Sequence, residues 1–357
     1  MLTDLSAAYV GMWFYNIDYL KNEYLMPTVL SFFLLSILFA LSPPVAAQQA
    51  LPTLKVTVIA WGTVNWELQH IKQTQLDHKN GYDLVIDRVA SLSAARIAMT
   101  AGNTDFIVSD WLWASERNHQ GANLRFIPFS KQVGSIIAAQ GNNITHYSSL
   151  KGKRIGIAGG PMNKGWSLMR AAAKKEGIDL QQEAKIQFGA PPLLSQAMKN
   201  GQLDILATFW HYGARLEAEG YQKLYSLETI MRYLGLKSNV PMLGYLYKAK
   251  LGDQHSHLIS GFHQSIKAAK AQLAIDESAW QALRPFMKAE NDQIYQALIT
   301  GYRSGIPDEL NQQQIDDAVS FYKIIDNLKP YPTGLPLDPD LFHKKLFHNA
   351  LFDKGAR

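Results

Sequence analysis

Met99-Thr-Ala-Gly102-Asn-Thr-Asp105-Phe-Ile-Val-Ser109-Asp110-Trp111 and Met198-Lys-Asn-Gly201-Gln-Leu-Asp204-Ile-Leu-Ala-Thr208-Phe209-Trp210 align without a gap. Each reads as a helix end stopped by Gly, an Asp in a tight turn, and a short apolar strand that breaks at a small hydroxyl residue shortly before Trp. The likeness extends upstream. Strand-like Leu54–Ala60 leads through Trp61-Gly62 into a helix opening at Asn65, and strand-like Lys153–Ala158 leads through Gly159-Gly160 into one opening at Gly165-Trp166. Two β-α-β-α-β halves predict two lobes facing each other across a cleft. The period is far too long for a solenoid. Duplication and the shared grammar of doubly wound half-domains both explain it, and both give two lobes.

Outside the repeat, Val29–Leu41 is an uninterrupted apolar run, broken by Ser42-Pro43-Pro44 and followed by Val45-Ala46-Ala47. It is short for a bilayer span, which needs about 20 apolar residues, and suits a secretory signal cut after Ala47. Residues 1–25 carry Asp4, Asp18 and Glu23 against Lys21 alone, an unusual leader, so residues 1–25 read as an upstream extension before Met26. Removing 1–47 takes away one Lys and three acids and lifts the formal charge from +5 to +7. The chain has no Cys, hence neither disulfides nor a lipidated Cys. A soluble, exported, periplasmic protein is expected.

Hydrophobic residues make up 47% of the chain and charged ones 18%, which excludes a disordered polymer. The basic residues are scattered, with clusters only at Lys151–Arg154 and Lys174-Lys175, so no nucleic-acid surface is expected. A modest positive field would help gather a small anion, and equally reads as having no functional meaning. The pattern predicts strands over 54–60, 83–89, 105–109, 126–130, 133–139, 153–158, 185–189 and 204–208. It predicts helices over 65–78, 93–101, 165–176, 193–200 and 212–219. Val240–Tyr247 is a further β-rich stretch, and only helical patterns follow, over 251–275, 278–288, 291–303, 311–327 and 338–347. The fold class is therefore α/β, with two lobes each built on a mostly parallel sheet flanked by helices and joined by a two-strand hinge. The expected layout is a signal peptide over 1–47, lobe 1 over 48–133 and 241–357, and lobe 2 over 134–240. The helical tail must cover lobe 1 or form a lid.

In such sheets ligands bind beyond the carboxyl ends of the strands. Candidate binding residues there are Trp61, Gly62, Ser91, Ser93, Asp110 and Trp111 in lobe 1. In lobe 2 they are Gly160, Lys164, Trp166, Thr208, Trp210 and His211. Ser91 reads equally as a helix cap and as part of an anion-binding helix start. Asp110 caps the next helix or bonds the ligand, Lys164 offers a counter-charge, and the Trp faces offer stacking area. Trp113 is expected in the core. Gly159–Ser167 lacks the Gly-x4-Gly-Lys-Ser/Thr order of a phosphate-binding loop. Hydrolase elbows, zinc-protease motifs and thiols are missing as well, and His255-Ser-His257 lacks the carboxylates of a metal site. No enzyme activity, cofactor or metal is expected.

The chain resembles the periplasmic solute-binding proteins of the nitrate/sulfonate/taurine class of ABC importers, which include binders of thiamine-pyrimidine precursors. The resemblance covers about residues 52–330. It rests on Leu54–Trp61, on Ala98-Met99-x-x-Gly102-x-x-Asp105 leading to Ser109-Asp110-Trp111, on Ser149-Leu150-Lys151-Gly152-Lys153-Arg154-Ile155-Gly156, and on Asn200-Gly201-Gln-Leu-Asp204. It implies the type II periplasmic binding fold, a monomer that closes on a small solute by hinge motion, and an inner-membrane ABC permease as partner. The departure is the long loop Gly-Gly-Pro-Met-Asn-Lys-Gly-Trp after the Lys153 strand, where relatives carry a short Gly-Ser/Thr loop. A sulfonate or nitrate site does not simply carry over, and a ring-bearing ligand such as a pyrimidine is equally indicated. The same fold also serves pyrimidine-synthase enzymes and accessory proteins of dehydrogenase systems, which stay as alternatives.

Overall fold

β1 (Thr53–Ile59) is rich in β-branched residues, and it pairs in parallel with β2 (Asp83–Val89) on one side and β3 (Phe106–Asp110) on the other. The crossovers are α1 (Val64–Gln73), the single turn α2 (Leu76–Lys79) and α3 (Leu92–Ala101). Ser91 caps α3 by accepting from the Ala94 N–H, and Gly102, at φ 76°, ends it. This computed structural model describes residues 50–142, 144–161, 163–237, 240–308, 310–328, 334–338 and 341. The expected signal segment with its Ala47 junction, and nearly all of the helix expected over 338–347, lie outside the described residues.

After α4 (Trp111–His119) and β4 (Leu124–Ser130) the chain enters a second sheet at β5 (Gly134–Ala138). There follow β6 (Arg154–Ala158), α5 (Lys164–Lys175), α6 (Leu180–Glu183), β7 (Lys185–Gly189), α7 (Pro191–Lys199), β8 (Ile205–Phe209), α8 (Trp210–Ala218), β9 (Gln222–Ser226) and α9 (Leu227–Tyr233). β10 (Leu243–Lys248) returns to the first sheet. Strand orders are β2-β1-β3-β10-β4 and β7-β6-β8-β5-β9. In each sheet four strands run one way and one is reversed: β10 in the first, β5 in the second. The sheets are thus mixed, because the reversed strand is the one next to the crossing between lobes.

The repeated Asp explains the repeat. Asp105 Oδ2 accepts the Lys55 N–H at 2.7 Å, and Asp204 Oδ2 accepts the Arg154 N–H at 2.8 Å. In both halves the turn carboxylate ties the third strand to the start of the first. Asp204 is also paired with Arg154, whose guanidinium draws its carboxyl below the usual range.

Lobe 1 buries Val56, Val58, Trp66, Leu68, Phe262, Trp280 and Leu298 in one cluster. Each such side chain contributes about 1.5–3 kcal/mol of hydrophobic stabilisation. Within it Glu67 is fully buried and accepts from Tyr245 Oη (2.7 Å), Tyr302 Oη (2.5 Å) and Lys270 Nζ (2.5 Å). Lys270 also donates to the Phe129 carbonyl at 2.9 Å, which fixes the end of β4. The tail serves both lobes. α10 (Ala249–Gln254), α11 (Ser256–Ile275) and α12 (Glu277–Met287) pack on lobe 1. α13 (Asp292–Ser304) runs along α8 of lobe 2, and α14 (Gln312–Asn327) packs on α5 of lobe 2.

Candidate functional site

The carboxyl ends of β1, β3, β6 and β8 face a cavity of about 310 Å³ between the lobes. Trp61 follows β1, and its ring stacks on Phe209, the last residue of β8, with centroids 5.4 Å apart and planes at 14°. Tyr212 meets the same indole edge-on at 6.2 Å. Gly62 also lines the wall, its N–H donated to the Ile59 carbonyl in a tight turn. Aromatic rings of both lobes line the cavity: Trp61 and Phe129 from lobe 1, and Phe209, Trp210 and His211 from lobe 2.

The same cavity is lined by a charge cluster. Asp110 ends β3 and caps α4, its Oδ1 accepting the Trp113 N–H at 3.0 Å. Its Oδ2 accepts from Arg96 Nη2 at 2.8 Å and from Lys164 Nζ at 2.6 Å. Arg96 also donates Nε and Nη2 to Ser109 Oγ (3.2 and 3.1 Å) and lies over the Trp113 ring at 4.9 Å. Lys164 is aimed by the cap before it: Asn163 Oδ1 accepts the Trp166 N–H and Asn163 Nδ2 donates to the Ala158 carbonyl. Burial pushes the Asp110 carboxyl up, but Lys164 and Arg96 pull harder, and it sits below the usual range. Burial lowers the Arg96 guanidinium, with Asp110 and Glu116 opposing. Two cations and one carboxylate leave a net positive charge of one on the cavity wall among the described residues.

His211, at the start of α8, lines the cavity with 6% of its surface exposed. Burial, helped by Arg215, lowers its pKa to about 3, so it is neutral at neutral pH. Its Nε2 finds no hydrogen-bond partner among the described residues and remains able to bond a polar group. A second cavity of about 270 Å³, with Trp113, Glu116 and Asp326 in its lining, shares Arg96, Asp110 and Lys164 with the first. The charge cluster is the partition between them.

Of the residues expected here, Trp61, Gly62, Ser93, Asp110, Lys164, Trp210 and His211 meet around this cavity. Trp111 does not. It is fully buried, donates Nε1–H to the Pro241 carbonyl at 3.1 Å and packs edge-on against Phe321. Trp166 is likewise core, 2% exposed, because it lies on the face of α5 that covers the second sheet. Thr208 is buried one residue short of the cavity, and alternation along β8 presents Phe209 instead. Gly160 sits in the loop at φ 99° outside the lining, and Ser91 is spent on its cap. Trp113, expected in the core, is half-buried and carries Arg96. Trp210 lines the cavity but also enters the lobe 1 core, edge-on to Trp66 at 6.0 Å.

Arg96, Ser109, Asn163 and Phe209 were not anticipated. Arg96 lies one turn after Ser93 on the same face of α3, a spacing that sequence shows once the helix start is known. Away from the cavity, Asp77, His78 and Asp83 cluster, but Lys72 Nζ already pairs with both carboxylates at 2.8 Å.

A family model described as "NMT1/THI5 like" matches residues 78–276, more than half of the chain. Curated protein sequences give no match. Solved structures with a similar fold include the periplasmic aliphatic sulphonate binding protein SsuA from Escherichia coli. It is 15% identical with a TM-score of 0.63, covering 78% of this chain and 89% of that one. The alkanesulfonate-binding protein SsuA from Xanthomonas axonopodis, bound to MOPS, is 15% identical with a TM-score of 0.60, covering 77% and 95%. The periplasmic nitrate-binding protein NrtA from Synechocystis is 11% identical with a TM-score of 0.56, covering 84% and 88%. At these identities the likeness is one of fold. Among the described residues no helix is long and apolar enough to cross a membrane.

Proposed function

The chain belongs to the NMT1/THI5-like family, and from that premise we propose that it is the periplasmic solute-binding component of an ABC importer, capturing a small organic anion and handing it to a permease. The observation that carries this reading is the cavity itself. Its walls come from both lobes, the cations Arg96 and Lys164 and the stacked rings of Trp61 and Phe209 share its lining, and its net charge is positive. A solute with one anionic group and an apolar or planar body fits that lining. The anion would meet the guanidinium and ammonium, the body would lie on the rings, and His211 Nε2 would accept or donate one polar bond. Because contacts come from two lobes, they are complete only when the lobes meet, and that difference favours closure.

An enzyme of the pyrimidine-synthase type is less well supported. The titratable groups lining the cavity are committed to one another: Asp110 is doubly ion-paired and His211 is held neutral. That leaves no base poised near neutral pH among the described lining residues. Native mass spectrometry of protein purified without denaturation should reveal a bound anion of low mass, released on unfolding. Protein that carries no small molecule and binds no organic anion from a metabolite library in thermal-shift screening would overturn the reading.

A further inference from the structure

Lys164 belongs to lobe 2 and Asp110 to lobe 1, so their 2.6 Å contact spans the cleft. It differs from the other bonds to that carboxylate. Arg96, itself braced on Ser109 Oγ, and the Trp113 N–H both belong to lobe 1 and hold Asp110 in place whatever lobe 2 does. Among the described residues, only the ammonium reaches that carboxylate from lobe 2. The side chains are 14% and 2% exposed, so water screens the attraction little. Lys164 has no other carboxylate within ion-pair distance among the described residues. At 2.6 Å no atom fits between the two groups. Asp110 therefore stands where the anion of a solute would seek the ammonium.

We propose that Asp110 is an internal anion that latches lobe 2 to lobe 1 through Lys164, closing the cleft on the protein's own charge. A solute anion, on the reading given above, must exchange with Asp110 for the ammonium. The latch itself involves no solute, so it can fail while solute capture stands, and the reverse.

The absence of Cys makes the test direct. Asn103→Cys on lobe 1 and Gln182→Cys on lobe 2, both exposed, accept a pair of spin labels whose separation is measured by pulsed electron resonance. The protein is dialysed exhaustively, and native mass spectrometry checks that no small molecule remains. The labelled parent should give one narrow distance. Lys164→Met should shift the main distance to longer values by more than the width of the parent's distribution. Asp110→Asn, which keeps the Trp113 cap, should do the same, and Lys164→Arg should restore the parent's distance. If Asp110→Asn fails to fold, Lys164→Met decides. Distances in Lys164→Met that superimpose on the parent's, in a variant that melts cooperatively, overturn the latch and leave the packing of Trp210 in the lobe 1 core as what joins the lobes. A broad distribution in the parent overturns it as well.

Discussion

Trp111 and Trp210 hold the same position in their two lobes, the first residue of the helix after the third repeat strand, and each is pressed onto a helix of the tail. Trp111 meets Phe321 of α14 edge-on at 5.7 Å. Trp210 packs against Gly301 of α13, where an added Cβ would meet its Cζ3 atom at 2.5 Å. The repeat thus supplies two equivalent knobs, and the tail supplies a seat for each. One seat has another ring in it; the other depends on a residue with no side chain.

Gly301→Ala should therefore destabilise the protein even though Ala favours helix by about 1 kcal/mol. The methyl must push the Trp210 ring out of a packed seat, an overpacking cost of about 1–3 kcal/mol. Urea titration of parent and variant measures it, and a variant as stable as the parent would show that α8 and α13 slide apart freely.

Trp61→Ala and Trp210→Ala should separate binding from folding. Trp61 is partly exposed, and its loss should cost about 1–3 kcal/mol of solute affinity with little change in melting. Trp210 is 6% exposed and packed on Trp66, so its loss should cost about 3–5 kcal/mol of stability. Calorimetric titration with the co-purified solute, beside thermal melts, checks both. Equal losses of stability in the two variants would contradict the placement of Trp61.

Arg96→Met removes one of the two cations that face the cavity. Charged hydrogen bonds contribute about 1.5–3 kcal/mol, so affinity for the anion should fall by about 10- to 100-fold. Trp113→Ala should weaken binding less, since it only removes the ring on which the guanidinium rests. Unchanged affinity in Arg96→Met would place the anion elsewhere.

Acid should destabilise the fold earlier than carboxylate titration alone would. Burial holds His211 and His263 neutral, with pKa values lowered to about 3 and about 4 from 6.5. Below about pH 6.5 the unfolded chain binds protons that the folded chain refuses, so stability rises with pH across the window between those values and 6.5. Each histidine contributes a slope of up to about 1.4 kcal/mol per pH unit. Asp110 acts with the same sign lower down: its depressed pKa gives stability present above the ordinary carboxylate range and lost as pH falls through it. Urea midpoints at pH 7.5, 6.5 and 5.5 test this. His211→Phe should remove about half of the slope, and a flat profile in the parent would exclude the effect.

The strands and helices of both halves were legible because burial on two faces writes long apolar runs and capping writes Ser, Asn and Gly at their ends. β9 and α9 were not anticipated: Gln222–Ser226 is a half-exposed edge strand with no apolar run. α4 was signalled by its cap, Asp110, but its extent was not, because Glu116, Arg117, Asn118 and His119 close it without an apolar stripe. For the candidate site, the strand ends led to this cavity, but rotation about the strand decided which side chains faced it. Trp111 and Phe209 lie at neighbouring positions of the two repeats and take opposite fates, one to core and one to cavity. The pairing of Lys164 with Asp110 depends on how two lobes meet, which no local pattern encodes.

β10 has a consequence for biosynthesis. It is wedged between β3 and β4, yet it is encoded after every strand of the second sheet. As the chain emerges from a ribosome or a translocation pore, β5 to β9 can complete their sheet while β3 and β4 still lack the strand between them. The later-finished lobe is the one that begins first, and until residue 248 appears it presents two open strand edges. The sheet of lobe 2 can therefore be complete before that of lobe 1, whose last strand and covering tail helices are encoded after it.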